Sequence, residues 1–232
     1  MRINKYLALC GVGSRRKCDE YISKSLVKVN GKVMNDFSYN VKNDDFVQYK
    51  NELLEAPLLE TYILNKPRGY ICTKDDNFNR KRIYDLIPNQ KLFSIGRLDY
   101  DTSGIILLTN DGDLSYKLTH PKFNIKKKYI VCTDGKLNNN DINVVKKGII
   151  VDRNIKYKAK ILFLNKYKKN YNYEVILTEG KNREIKRIFN YFNINVLKLH
   201  RYDFGGIVLK DLPVGKYRKI NLKEKKILEQ LF

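Results

Sequence analysis

The sequence predicts an α+β protein with a small N-terminal module and a larger domain built on a mixed, mainly antiparallel sheet. In residues 1–48, two short helical patterns precede two short apolar strands. In residues 61–232, strand patterns outnumber helical ones and do not alternate regularly with them, which disfavours a doubly wound fold. Residues 49–60 contain one proline, and we expect them to link the two parts.

The N-terminal module begins with the helical segment "INKYLAL", which the residues "GVG" end. Ser14 is a favourable N-cap for a second helix that starts at Arg15. The pair Asn30 and Gly31 lies between two short apolar segments and is typical of a type I′ hairpin turn. We therefore expect two helices followed by a short sheet.

The larger domain contains several apolar runs that predict strands: "TYILNK", "LFSIGRL", "IILLT", "KKKYIVCT", "NYEVILT" and "INVLKLHRYDFGGIVL". Helices are predicted at "NREIKRIFNYF" and at "NLKEKKILEQLF". In the first of these helices, Ile185, Ile188 and Phe189 share an apolar side. Glu184 lies among the polar residues around the other side.

The composition favours a nucleic-acid partner. The chain carries 46 basic and 25 acidic residues, a formal net charge of +21, and such a surplus repels itself unless a polyanion is near. An anionic membrane surface is the second choice. The chain has no run of eighteen apolar residues, and its N-terminus lacks the apolar stretch of a signal peptide. We expect a cytoplasmic protein that does not associate with membranes.

The cysteines and histidines do not predict a metal site. Cys10, Cys18, Cys72 and Cys132 show no C-x-x-C spacing, and the chain has only two histidines. A zinc site is therefore not expected. Free cysteines in a chain without a signal peptide agree with a reducing cytoplasm.

The stretch "DYDTSGIILLTN", residues 99–110, matches part of an EF-hand calcium loop. Asp99, Asp101, Ser103 and Gly104 stand where such a loop has its first three oxygen ligands and its turn glycine. Asn110 stands where a bidentate glutamate is needed, and the flanking segments are predicted strands instead of helices. Asp99 is therefore a turn carboxylate or a residue with a chemical role, and the rest of the chain has to decide.

The N-terminal module resembles a known RNA-binding module. The segment "MRINKYLALCGVGSRRKCDEYI", followed by "VKVNGKVM", is similar to the small module first known from a ribosomal small-subunit protein. A basic triplet lies in the first turn of the second helix, where the helix dipole disfavours cations, which indicates an anion outside the protein or a solvated cluster. The candidate RNA contacts in this module are Lys5, Arg15, Arg16 and Lys17.

Five blocks of the larger domain resemble the RsuA/RluB group of ribosomal RNA pseudouridine synthases. They are "NKPRGYICT", "GRLDYDTSGIILLTNDGD", "KKKYIV", "LTEGKNREIKRIF" and "LHRYDFGGIVLKDLPVGKYRKI", and they occur in the order found in that group. The resemblance implies that the protein isomerises one uridine of ribosomal RNA, free or in an assembling particle, without a cofactor or metal, and that it is a monomer.

The resemblance leaves the target RNA open. The segments "GVGSRR", "LTHP" and "EGKNREIKR" are closer to the large-subunit branch of the group, which we favour, whereas "LHRYDFGGI" is closer to the small-subunit branch. A catalytically silent RNA-binding factor in ribosome assembly is a further alternative, since the RNA module and the charge would suit it equally well.

The resemblance also implies roles for single residues. Asp99 is the nucleophile, and Lys186 is the cation that pairs with it, where related families have arginine. Tyr129 stacks on the target base, and Arg97 fills the space that the flipped base leaves. Without the resemblance, Tyr129 would be a core aromatic residue and Arg97 an ion-paired strand arginine. Further candidate RNA contacts are Lys66, Arg183, Arg187 and the lysines of "NIKKKY" and "NKYKKN", which could also be solvated.

Overall fold

The computed structural model describes residues 1–89, 91–151 and 155–232. The chain divides into two compact units, which are Met1–Glu60 with Asn110–Gly112 and Thr61–Thr109 with Asp113–Phe232. No helix among the described residues has the length and apolar character needed to cross a membrane. The α+β class predicted from the sequence is confirmed.

The first unit consists of two helices and a four-stranded antiparallel sheet. The helices are α1 (Ile3–Leu9) and α2 (Arg15–Ser23), and the strands are β1 (Val27–Val29), β2 (Lys32–Val33), β3 (Val47–Tyr49) and β4 (Glu52–Leu53), in the order β2-β1-β3-β4. The Ser14 hydroxyl accepts a hydrogen bond from the Lys17 amide at 3.3 Å, as predicted for an N-cap. Asn30 and Gly31 have φ values of 50° and 78°, as the predicted type I′ turn requires.

Strand β4 corrects the predicted linker. Residues 49–53 belong to the β3–β4 hairpin, so the segment predicted to be a linker begins inside the sheet. The turn of this hairpin is Lys50-Asn51, with φ values of 51° and 69°. A turn without glycine, between strands of three and two residues, gives a weak sequence signal, which is why the hairpin was missed.

The second unit is built on a nine-stranded mixed sheet. Along the main path the order is β11-β12-β8-β13-β7-β5-β15, while β14 pairs with β13 and β6 pairs with β7. Its strands are β5 (Thr61–Lys66), β6 (Phe93–Ile95), β7 (Ser103–Thr109), β8 (Lys127–Thr133), β11 (Lys160–Tyr167), β12 (Asn170–Leu177), β13 (Val196–Phe204), β14 (Ile207–Val208) and β15 (Tyr217–Lys219). The neighbours are antiparallel except β7 and β13, which are parallel, so the predicted mainly antiparallel sheet is confirmed.

Among the described residues of this unit, four helices, two 3₁₀ turns and a two-stranded antiparallel sheet accompany the larger sheet. They are α3 (Gly112–Thr119), α4 (Asn139–Lys147), α5 (Glu184–Asn190), α6 (Leu222–Glu229), the turns Ile83–Leu86 and Pro121–Phe123, and the strands β9 (Ile149–Val151) and β10 (Ile155–Tyr157). The sequence predicted α5 and α6 but not α3 or α4.

Hydrophobic clusters cover both faces of the central strands. In β7, Ile106 and Leu108 belong to one cluster, whereas Ile105 and Leu107 belong to the other. Because successive side chains of a strand point to opposite faces, a strand buried on both faces needs a continuous apolar run. The run "IILL" therefore fixes β7 in the middle of the core, next to the loop that carries Asp99.

Candidate active site

The loop of residues 96–102 joins β6 to β7 and carries Asp99. Lys66, at the end of β5, lies fully buried beside this loop. Its ammonium group donates to the carbonyl oxygens of Thr102 at 2.7 Å, Asp99 at 3.0 Å and Pro67 at 3.1 Å. Burial lowers the pKa of the Lys66 ammonium to about 8. Lys66 therefore holds the loop backbone, which corrects its predicted role as an RNA contact.

Gly104 allows the loop to enter the sheet. Its φ is +112°, and a Cβ atom at this position would lie 2.1 Å from the carbonyl oxygen of Arg201. Arg201 is the parallel neighbour of Gly104 on β13. Only glycine therefore fits where the two strands approach, which explains the glycine that follows "DYDTS".

Two carboxylates share the ammonium of Lys186. The nitrogen lies 3.8 Å from Oδ2 of Asp99 but 2.5 Å from each carboxylate oxygen of Asp101. Burial raises the pKa of Asp101, but hydrogen bonding to Lys186 and its charge outweigh this and leave the pKa below its ordinary value. The ion pair predicted between Lys186 and Asp99 is thus the longer contact, and Asp101 is a site residue that the sequence indicated only through the calcium-like pattern.

An open cavity of about 330 Å³ lies beside Asp99, which is large enough for a small ligand. The Asp99 side chain is 32% exposed. Among the predicted residues, the cavity is lined by Arg97, Asp99, Tyr129, Arg183 and Lys186. Most of the residues that the sequence assigned to this site therefore converge on one cavity.

Tyr129 and Arg201 stand opposite each other on β8 and β13. The guanidinium carbon of Arg201 lies 6.0 Å from the centre of the Tyr129 ring and 4.7 Å from that of Phe204. Arg201 Nε donates to the Ile105 carbonyl oxygen at 2.8 Å. Arg201 is not among the residues predicted from the sequence, although it is part of the block "LHRYDFGGI".

Lys127 also lines the cavity, and it is buried. Its ammonium donates to the carbonyl oxygens of Ile125 at 3.1 Å and Thr178 at 3.3 Å. Burial, and then the positive charge of Arg201, lower the pKa of Lys127 to about 8. Lys127 was predicted as a surface lysine of "NIKKKY", so this is a correction, whereas the lysines of "NKYKKN" are exposed as predicted.

Helix α5 supplies the other wall of the site. Arg183 precedes it with a left-handed φ of 51°, and Arg187 Nε donates to the Asn182 carbonyl oxygen at 3.1 Å. Arg183, Lys186, Arg187 and Asp101 also line a second cavity. Glu184, predicted on the polar side of the helix, is buried instead. Its carboxylate accepts a hydrogen bond from the Lys181 amide at 2.9 Å, which reduces the cost of burying it.

The N-terminal unit carries the remaining predicted basic residues. Arg15, Arg16 and Lys17 are exposed in the first turn of α2, and Lys5 is partly exposed on α1. Lys17 forms an ion pair with Glu20 at 2.8 Å. Arg15 and Arg16 therefore carry the exposed charge of this turn.

The calcium-like stretch has a different geometry from an EF-hand. Ser103 begins strand β7, and the Asn110 amide group links to Leu58 and Glu60 through hydrogen bonds of 2.8 Å and 2.7 Å. Across the described parts of the chain, no three or more His, Cys, Asp or Glu side chains are grouped so that they could hold a metal ion.

Comparisons with known proteins identify the family to which the chain belongs. The family described as RNA pseudouridylate synthase matches residues 60–191, and the S4 domain matches residues 1–47. The ribosomal large subunit pseudouridine synthase B of Bacillus subtilis (strain 168) is 36% identical over 99% of this chain and 96% of its own length.

Its namesake from Buchnera aphidicola subsp. Schizaphis graminum (strain Sg) is also 36% identical, over 95% of this chain and 90% of its own length. A crystal structure of a pseudouridylate synthase superimposes over the whole of both chains with a TM-score of 0.70 and 30% identity. The chain therefore belongs to the RNA pseudouridylate synthase family and carries an N-terminal S4 domain.

Proposed function

We propose that this RNA pseudouridine synthase isomerises one uridine of large-subunit ribosomal RNA, with Asp99 as its nucleophile. The observation that carries the proposal is the position of Asp99, whose partly exposed carboxylate opens into a cavity that Tyr129 and Lys186 also line. The names of the two relatives support ribosomal RNA of the large subunit as the substrate.

The reaction moves the uracil base from a nitrogen link to a carbon link. The C1′–N1 bond breaks, the detached base turns within the site, and C5 bonds to C1′ while the C5 proton leaves. Asp99 acts as a carboxylate, either on C1′, on a ring carbon of the base, or in a route through a glycal. Each route needs the same carboxylate in an oriented position, and the Lys66 contacts to the loop backbone support that orientation.

A cation beside the carboxylate keeps it charged when RNA excludes water from the cavity. Lys186 is that cation, at 3.8 Å, and it shares its charge with Asp101 at 2.5 Å. Tyr129 lies on the cavity wall, where its ring can stack on the flipped base.

Access to a stacked uridine requires base flipping, which costs a few kcal/mol. Arg97, exposed at the cavity mouth two residues before Asp99, is suited to fill the vacated space. Arg183 and Arg187, beside the second cavity, are suited to hold the phosphates that flank the target.

We assign RNA binding outside the active site to the N-terminal unit. Its candidate contacts are Lys5, Arg15, Arg16 and Lys17. In this proposal, residues 1–48 bind folded RNA and residues 61–232 catalyse the reaction. The free cysteines suit the reducing cytoplasm, where the protein would act as a monomer on ribosomal RNA or an assembling particle.

The test is tritium release from RNA labelled at C5 of uridine. Small- and large-subunit ribosomal RNA are transcribed separately, and each is incubated with the wild-type protein, with Asp99→Asn and with Asp211→Asn as a control at an exposed carboxylate. We expect release from large-subunit RNA with wild type and control, and none with Asp99→Asn.

Release from small-subunit RNA alone would replace the proposed substrate. Full activity of Asp99→Asn would refute the proposed nucleophile. The same reactions are repeated with assembling particles, because naked transcripts can lack the shape that the enzyme recognises.

A further inference from the structure

Two buried polar atoms without partners belong to residues of the cavity. Within residues 1–89, 91–151 and 155–232, Thr102 Oγ1 and one terminal nitrogen of Arg201, Nη2, have no hydrogen-bond partner. Thr102 is 1% exposed, Arg201 is 3% exposed, and both line the cavity beside Asp99. A buried donor without a partner is unfavourable, so two at one cavity indicate a ligand that supplies the missing partners.

The strand geometry fixes the guanidinium of Arg201. The register between β8 and β13 shifts between Arg201 and Asp203, and such bulges re-aim side chains next to active sites. Arg201 stands opposite Tyr129, and its Nε is held by the Ile105 carbonyl oxygen. The unpartnered nitrogen is therefore held near the ring on which the base is proposed to stack.

Lys127 places a second buried cation at the same cavity. It is 6% exposed, and its ammonium contacts two backbone carbonyl oxygens. The charges of Glu184 and Glu179 raise the pKa of Lys127, but burial and the charge of Arg201 outweigh them. Cations held in a region of low dielectric interact strongly with any negative charge that develops beside them.

We propose that Arg201 is a catalytic residue that donates a hydrogen bond to a carbonyl oxygen of the target uracil. Lys127 adds its charge to the same face, and together they stabilise the base while it carries the electrons of the broken glycosidic bond. Thr102 supplies a further hydrogen bond to the base. This inference rests on the proposed function.

The electron balance explains why a cation is needed there. When the C1′–N1 bond breaks, both electrons of the bond stay on the base, which becomes a uracil anion with charge spread over N1, O2 and O4. The positive C1′ then bonds to the Asp99 carboxylate. In the glycal route, C2′ instead gives a proton to that carboxylate and a C1′–C2′ double bond forms; the proton returns to C2′ when C5 bonds to C1′. Attack of Asp99 on a ring carbon also puts negative charge on a base oxygen. Every route therefore gains from Arg201.

The first experiment separates binding from chemistry. Arg201→Met and Lys127→Met remove one charge each, and Arg201→Lys retains it. The matched controls are Lys198→Met, an exposed lysine on β13, and Lys160→Met, an exposed lysine on β11. RNA affinity is measured by filter binding, the single-turnover rate by tritium release, and folding by thermal unfolding.

We expect Arg201→Met to lower the single-turnover rate about 100-fold or more, as loss of one donor to a developing anion does elsewhere. We expect RNA affinity to change by less than about threefold and the controls to keep their rate. Arg201→Lys should recover part of the rate, and Lys127→Met should lose about tenfold. If Arg201→Met does not fold, Arg201→Lys and Lys127→Met carry the same comparison.

The second experiment identifies the charge on the base. RNA with 5-fluorouridine at the target position has a more stable leaving anion. Chromatography of the digested RNA measures how fast its N-linked 5-fluorouridine disappears. Arg201→Met should be impaired at least tenfold less on this RNA than on uridine RNA. A merely structural role predicts equal impairment on both RNAs and would overturn the inference.

The outcomes distinguish the inference from the proposed function. If the wild type releases tritium and both Arg201→Met and Lys127→Met do so at the wild-type rate, the inference is wrong and the proposed function stands. If the wild type releases none from either RNA or from assembling particles, the proposed function fails, and the inference fails with it.

Discussion

Replacement of Lys66 by methionine tests how the proposed nucleophile, Asp99, is positioned. Methionine keeps an unbranched apolar stem but removes the ammonium group that contacts the loop. The carbonyl oxygens of Thr102, Asp99 and Pro67, all within 3.1 Å, lose that donor. The Asp99 oxygen keeps a second donor, the Thr102 amide at 3.1 Å.

The free-energy terms of Lys66→Met oppose each other. A buried carbonyl oxygen left without its donor costs about 1–3 kcal/mol, so two such losses and a partial third cost roughly 3–6 kcal/mol. Removal of the buried ammonium recovers about 3 kcal/mol, because its pKa falls from 10.5 to about 8 on folding. The difference between the two terms gives an expected net loss of stability of about 0–3 kcal/mol.

The effect of Lys66→Met on activity should be larger than its effect on stability. A shift of about 1 Å in a reacting group costs about 100-fold in rate, and Lys66 contacts the backbone of Asp99 itself. The assays are urea unfolding and single-turnover tritium release, with Lys160→Met, an exposed lysine on β11, as the control. A folded Lys66→Met variant with a rate within about threefold of wild type would refute this reasoning.

Three further predictions follow from the geometry. Asp101→Asn should keep the tritium-release rate within about threefold, because Lys186 can then turn fully to the Asp99 carboxylate, which lies 3.8 Å away. Lys186→Met should lower the rate about 100-fold, because that charge is lost. Equal losses of rate would contradict this assignment. Gly104→Ala should lower the free energy of unfolding in urea by roughly 2–6 kcal/mol, because the φ of Gly104 is +112° and an added Cβ would lie 2.1 Å from a backbone oxygen. The control is Gly180→Ala, whose added Cβ meets no neighbouring atom within 4 Å and which should change the free energy of unfolding little. The pKa of Lys127 is about 8 in the folded state and 10.5 in the unfolded state, so the cost of burying its charge is present below pH 8 and disappears as the pH rises to 10.5. The unfolding free energy of the wild type relative to Lys127→Met should therefore rise by about 3 kcal/mol over that range. A difference that does not change with pH would contradict this prediction.

The fold follows from local patterns wherever those patterns are strong. The cap at Ser14, the turn at Asn30-Gly31 and the apolar run of β7 each have one favourable structure. The hairpin of β3 and β4 has no such signal, since its turn lacks glycine and its strands have three and two residues. Residues 49–53 were therefore assigned to a linker.

The candidate site was predictable only in part, because its lysines differ in burial. Lysine is almost never fully buried unless it is paired, so every lysine is predicted from the sequence to be exposed. Lys66 and Lys127 are buried because backbone carbonyl oxygens from distant segments surround their ammonium groups. The contact of Lys186 with Asp101 joins residues 85 positions apart, and nothing local in the sequence indicates it.

The positive charge of the chain therefore serves two purposes that composition alone does not separate. Exposed residues such as Arg15 and Arg183 are suited to phosphates, and salt screens their interactions over about 10 Å. Lys66, Lys127 and Arg201 are withdrawn from water, so salt screens them much less. Their charge is costly to bury, and it persists because each one contacts backbone oxygens of the loop or the strands around the cavity. The net charge of +21 favours attraction to RNA, whereas in the proposed mechanism the few buried cations hold one carboxylate and one base for reaction.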